Sequence, residues 1–148
     1  MLLRNELQTA LQDVEVALLE VADGHDGAAD ILADDPLATT LRELASARRA
    51  AAARLGEAIR ELDDLPAEPD ADLETVRELA TWVKAALTGD QRQTVLHERR
   101  TAETHLQATV EQALAQPDLS AETRTLLEQI RADAAAAQHE LTGLAISH

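Results

Sequence analysis

The sequence predicts an all-α protein: an antiparallel four-helix bundle with an extra short helix in the crossover between its two hairpins. Three observations carry this. Aromatic residues make up 1% of the chain, with Trp82 the sole one, so the 45% of hydrophobic residues must build a core from Leu, Val, Ile and Ala. Ala and Leu favour helices, as do the abundant Glu, Gln and Arg, whereas the residues that favour strands are scarce. The apolar residues also recur at steps of three and four, the helical period, and Pro- and Asp-rich breaks divide them into long runs. The 148 residues are one domain's length, so 1–148 is read as a single domain with one core.

The first helix is expected over about 2–33. Its stripe is Leu3, Leu7, Leu11, Val14, Leu18, Val21, Ala28 and Leu32, and at ~1.5 Å per residue such a helix is ~48 Å long. Gly24 and Gly27 interrupt it and mark a bend or a close helix–helix contact. Asp34, Asp35 and Pro36 end it. The second helix, about 37–62, carries Leu37, Leu41, Leu44, Ala51, Leu55, Ile59 and Leu62. So short a connection makes the two an antiparallel hairpin.

The segment 63–72 holds two prolines and five acids and reads as an exposed acidic linker. A shorter helix follows at 73–87, with Val76, Leu79, Val83 and Leu87 on one side and Trp82 packing at a helix junction. The next long helix, about 91–115, has the stripe Leu96, Leu106, Val110 and Leu114 and stops at Pro117. Ser120 is a good N-cap for the last helix, 120–145, and Glu122 suits its positive first turn.

Charge and composition exclude several functions. With 28 acids against 13 bases the net charge is −15, which repels nucleic-acid phosphates and anionic membranes. Without cysteine there is no disulfide, thiolate metal site or cysteine catalysis. No apolar run approaches ~18 residues and no secretory h-region is present, so a cytoplasmic location is expected. Lys84 is the sole lysine, and the bias to Arg and Ala points to a GC-rich genome. No nucleophile–base pair stands out, so a hydrolase or transferase is not expected.

The informative residues are polar ones on apolar stripes. His25 falls between Val21 and Ala28, Arg48 between Leu44 and Ala51, and Arg99 and Glu103 between Leu96 and Leu106. His25 is ten residues before Asp35, Arg48 thirteen after it, and Glu103 fourteen before Pro117. In an antiparallel bundle these heights coincide, so His25, Arg48, Arg99 and Glu103 form a structural polar layer in the core. Glu103 is expected to pair with Arg99 one turn away and with Arg48 across the bundle, and His25 completes the cluster. His97, His105 and His139 project to flanks or surface.

The stretch Asp23, Gly24, His25, Asp26, Gly27 resembles the D-G-x-x-G of a bacterial ferritin-like four-helix-bundle family of unknown function, related to rubrerythrins. Lys84, Ala85, Ala86, Leu87, Thr88, Gly89 and Asp90 are similar to its K-x-A-L-T-G-x, and Glu103 matches a glutamate of its following helix. The resemblance covers the chain from about Leu18 onward and implies a ferritin-like bundle with a metal centre. The departures fall on that centre. The family's first-helix glutamate falls at His25, its second-helix glutamate at Ala47 and another third-helix acid at Arg100. Its last-helix histidine falls at Gln138 or, shifted by one, His139. Ferritin-like di-iron sites need several carboxylates and Glu-x-x-His pairs, and arginines at the same level oppose a cation.

Three function classes follow. The first is a non-catalytic ferritin-like structural or interaction module, linked to stress physiology as the resemblance implies, with the metal layer replaced by ion pairs and no cofactor. The second is a metal-binding ferritin-like oxidoreductase, di-iron or manganese, with His25, Asp26, Glu103 and His139 as candidate ligands. The third is an acidic helical adaptor for a basic protein partner. A homodimer or higher homo-oligomer is expected, with Leu2, Leu3, Leu7 and Leu11 completing the interface.

Overall fold

The computed structural model describes residues 6–62 and 91–146. These fold into four helices: α1 (Glu6–Leu32), α2 (Pro36–Glu61), α3 (Gln91–Leu114) and α4 (Ala121–Ile146). The described residues contain no strand, and the protein is all-α. The expected linker at 63–72, the short helix at 73–87 with Trp82, the motif at 84–90, and residues 1–5 with Leu2 and Leu3 lie outside the described residues.

Local chemistry sets each boundary. α2 begins one residue earlier than the periodicity indicates, because Pro36 occupies its first turn, where a missing N–H costs nothing. Asp35 is its N-cap, and its Oδ1 accepts from the Leu37 N–H at 2.9 Å. α2 closes at Leu62, whose N–H donates to the Ile59 carbonyl at 3.0 Å. α3 tightens at its end, where the Gln116 N–H donates to Ala113, and Pro117 cannot extend it. Ser120 caps α4, accepting from the Thr123 N–H at 3.1 Å, with Glu122 in the first turn.

α1 packs against α2 and α3, and α4 against α3 and, more thinly, α2. The apolar interior falls into two clusters. One joins Leu7, Leu11, Val14 and Leu18 of α1 to Leu55 and Ile59 of α2, Leu106 and Val110 of α3, and Leu127 and Ile130 of α4. The other joins Ala28 and Ala29 to Leu37 and Leu41, Val95 and Leu96, and Leu141. Leu7 and Leu11, expected at an interface between copies, are instead buried inside this chain's own core. Their period matches the intramolecular stripe, which claims them first.

Arg92, in the first turn of α3, ties three helix ends together. Its Nε donates to Asp35 Oδ2 at 2.8 Å and its Nη1 to the Leu144 carbonyl at 3.3 Å. The Asp35 carboxylate thus caps α2 with one oxygen and holds α3 with the other. Both side chains are largely shielded from solvent. Arg92→Ala is expected to lower stability by about 1–2 kcal/mol, because it removes two hydrogen bonds involving charge. Arg42→Ala, which breaks an exposed pair with Asp30, is expected to change it by less than about 0.5 kcal/mol. Urea titration of both variants checks the contrast.

Candidate functional site

Between the two apolar clusters, each of α1, α2 and α3 contributes a polar side chain to the interior. His25 and Glu103 are fully buried and Arg48 is 3% exposed, so bulk solvent does not reach them. Each stands at a stripe position of its helix, so the periodicity that buries the leucines also buries these residues.

Glu103 is the hub. Arg48 Nε donates to both of its oxygens at 3.2 Å, and Arg48 Nη2 donates to Oε1 at 2.9 Å. His25 Nε2 lies 2.7 Å from Oε2. Arg48 Nη2 also reaches the Asp133 carbonyl of α4 at 3.4 Å. Arg99 is half-buried. Its Nη1 lies 3.3 Å from His25 Nδ1, not on Glu103 as the one-turn spacing implied. The correction has a simple cause. Gly24 of α1 has no Cβ, and the Arg99 guanidinium occupies that space, with a Cβ there falling 2.9 Å from Cζ. Arg48 already covers both oxygens of Glu103, so Arg99 bonds the outer edge of the imidazole.

These contacts fix protonation. A guanidinium has only donors, so Arg99 must meet a lone pair on Nδ1, and Nε2 carries the proton that it donates to Glu103. Burial, the largest cause, holds the imidazole below its ordinary range; the Arg99 and Arg48 charges act with it and Glu103 against it. For Glu103, burial is again the largest single influence and pushes the carboxyl up. The His25 hydrogen bond and the Arg48 charge and bonds together outweigh it, and the carboxyl sits below its usual value. Burial also pushes the Arg99 guanidinium down, against the charges of Glu98 and Glu103. The layer is thus two guanidinium cations, one carboxylate and a neutral imidazole.

The other candidate ligands stand elsewhere. Asp26 pairs with Arg49 of α2 at 2.6 Å, and Asp23 shares that arginine at 3.6 Å. His139 is exposed. Gln138 accepts from Gln107 Nε2 at 3.0 Å. Ala47 is exposed and Arg100 half-buried. Among the described residues no three His, Asp or Glu side chains come together as a metal cage would require. Gln12 and Glu15 of α1 are also buried, although neither stands on the apolar stripe of that helix. Glu15 lies over Gly56 of α2, where a Cβ would fall 2.9 Å from Oε2. A glycine inside a helix opposite a polar residue is the sequence signal that both pairs share.

No helix among the described residues is long and apolar enough to cross a membrane. No curated protein and no solved structure matches the chain. A family described as "Domain of unknown function (DUF2383)" matches residues 6–116, from the start of α1 to just past the end of α3 and so through all three helices that build the layer. On that match, well over half its length, the chain belongs to the DUF2383 family.

Proposed function

We propose that this protein is a ferritin-like bundle that works as a non-catalytic structural or interaction module, with an ion-pair layer where the resembling family holds metal. The observation that carries this is the saturation of Glu103. Both its oxygens accept from Arg48, and Oε2 also accepts from His25, so the carboxylate at the centre has no vacant coordinating edge. Hard metal ions bind where several carboxylates offset their charge, and here one carboxylate faces two guanidinium groups. The residues do not fit a di-iron or dimanganese centre.

The ferritin-like topology is supported by the pairing of helix ends. The first cluster takes N-terminal halves of α1 and α4 with C-terminal halves of α2 and α3, and the second cluster takes the converse. α1 and α4 therefore run one way and α2 and α3 the other. Gln8 Nε2 donates to the Leu62 carbonyl near the start of α1, whereas Arg92 bonds Asp35 at its far end. A long crossover between α2 and α3 is the ferritin-like connection.

Elemental analysis of the purified full-length protein tests this reading. Iron and manganese are expected far below one per chain. Either metal at stoichiometric level would favour the oxidoreductase reading built on His25, Asp26, Glu103 and His139. As an interaction module, a cytoplasmic protein of net charge −15 suits a second copy or a basic protein partner, not nucleic acid or membrane. Loss of a captured partner with rising salt would identify the basic-partner case.

A further inference from the structure

Arg99 lies in a space that depends on a glycine. Its guanidinium rests on Gly24, where a Cβ would come within 2.9 Å of Cζ and 3.0 Å of Nη2. From there Nη1 meets His25 Nδ1 at 3.3 Å, while Glu103 takes the opposite ring nitrogen at 2.7 Å. One neighbour only donates and the other only accepts, so the pair selects a neutral imidazole with its proton on Nε2. A second proton has one place to go, Nδ1, and Arg99 stands in front of it. Arg48 is locked by its bonds to Glu103 and the Asp133 carbonyl. Arg99 is half-buried where His25, Arg48 and Glu103 are buried, and among the described residues no ion pair inside 4 Å holds it, so it is the least fixed of the four.

We propose that Arg99 is an acid-released latch on the α1–α3 seam: protonation of His25 at Nδ1 expels the guanidinium from Gly24 into solvent and uncovers the α1 backbone there. The latch rests on the reading of this layer as an ion-pair cluster. The groups facing His25 make the exchange selective. From α3 come Arg99 and Glu103, with Glu98 beside Arg99. From α2 comes Arg48. On α1 itself Asp23 and Asp26 are held by Arg49. α4 offers the buried Ala134 and Ala137 and the Asp133 carbonyl that Arg48 uses. Two cations oppose a charged imidazole and one carboxylate favours it. Departure of the mobile cation leaves one of each, so proton uptake and release of Arg99 are linked.

Nuclear magnetic resonance of the full chain, labelled with nitrogen-15 and titrated with acid, reads both events. At neutral pH the His25 ring is expected as the Nε2–H tautomer. As Nδ1 gains its proton, exchange of the Arg99 side-chain N–H protons should accelerate over the same pH interval while those of Arg48 stay slow. Arg99→Met removes the blocking donor and Gly24→Ala displaces it, so both should move the His25 titration to higher pH. Alanine suits a helix interior better than glycine, so the second variant remains informative if the first folds poorly. Slow Arg99 exchange throughout the His25 titration overturns the latch, as does a His25 midpoint unmoved in both variants. An Nδ1–H tautomer in the wild type at neutral pH overturns the ion-pair reading itself, and the latch with it.

Discussion

Replacing Glu103 by alanine is expected to produce the largest loss of stability of any single substitution in the layer. The change strips Arg48 of its three bonds to the carboxylate and His25 of its 2.7 Å acceptor. Arg48 is 3% exposed and cannot turn to water, which leaves it the Asp133 carbonyl at 3.4 Å. Removing one partner of a buried ion pair costs about 3–5 kcal/mol, because the other charge stays buried and uncompensated. For a chain of this size that lowers the melting temperature by roughly 10 °C. Thermal melts followed by circular dichroism check it, and an unchanged midpoint would sink the assignment. The penalty belongs to the orphaned cation more than to the lost pair. Glu103→Leu combined with Arg48→Met is therefore expected to recover most of the loss, since apolar residues often replace a buried pair at little cost.

Acid is expected to destabilise the wild type more than a His25→Gln variant. Both His25 and Glu103 titrate lower in the folded chain than their ordinary values of 6.5 and 4.5. For each, the unfolded chain binds protons at a pH where the folded chain still refuses them, so stability rises with pH through that interval. The stability due to His25 is present above about pH 6.5 and is lost as pH falls below it. That due to Glu103 is lost in turn below about pH 4.5. Acidification also relieves the self-repulsion of a chain with net charge −15, which acts in the opposite sense. The difference between the two proteins isolates the imidazole: glutamine keeps an amide donor for Glu103 and an oxygen acceptor for Arg99 but does not titrate. Urea midpoints from pH 8 to 5 should fall further for the wild type. Parallel curves would mean that His25 is not held neutral by the fold.

The helices and the layer were legible in the sequence to different depths. The Leu, Val and Ala stripes at steps of three and four locate all four described helices to within a few residues, because one face of each is buried along its whole length. The same period marks His25, Arg48 and Glu103, since a stripe position goes inside whatever residue fills it. Which atoms meet there is not periodic information. Arg99 and Glu103 are one turn apart on α3, yet Arg48, 55 residues away along the chain, reaches the carboxylate more closely than its neighbour does. The reason is Gly24, whose missing side chain on another helix gives Arg99 somewhere else to lie. Asp35 stands out in the sequence only as part of the break with Asp34 and Pro36, and its role as the cap of α2 comes from the folded chain. Its second oxygen meets Arg92 across 57 residues, and only the packed helices reveal that.

The layer also partitions the interior. Above and below it the apolar residues form separate clusters, and the buried apolar residues at its own height, Ala22, Ala45 and Ala137, are small. Little hydrophobic contact therefore passes from one half of the core to the other. Among the described residues the halves are coupled through four continuous helix backbones and one charged plate, and the plate's strength depends on protonation where that of leucine packing does not. In hydrogen exchange the smaller cluster, beside the α1–α2 turn and the Arg92 tie, is therefore expected to lose amide protection before the larger one. Cooperativity between the two clusters should then respond to conditions that change the charges of a single plane and leave the leucine packing as it is.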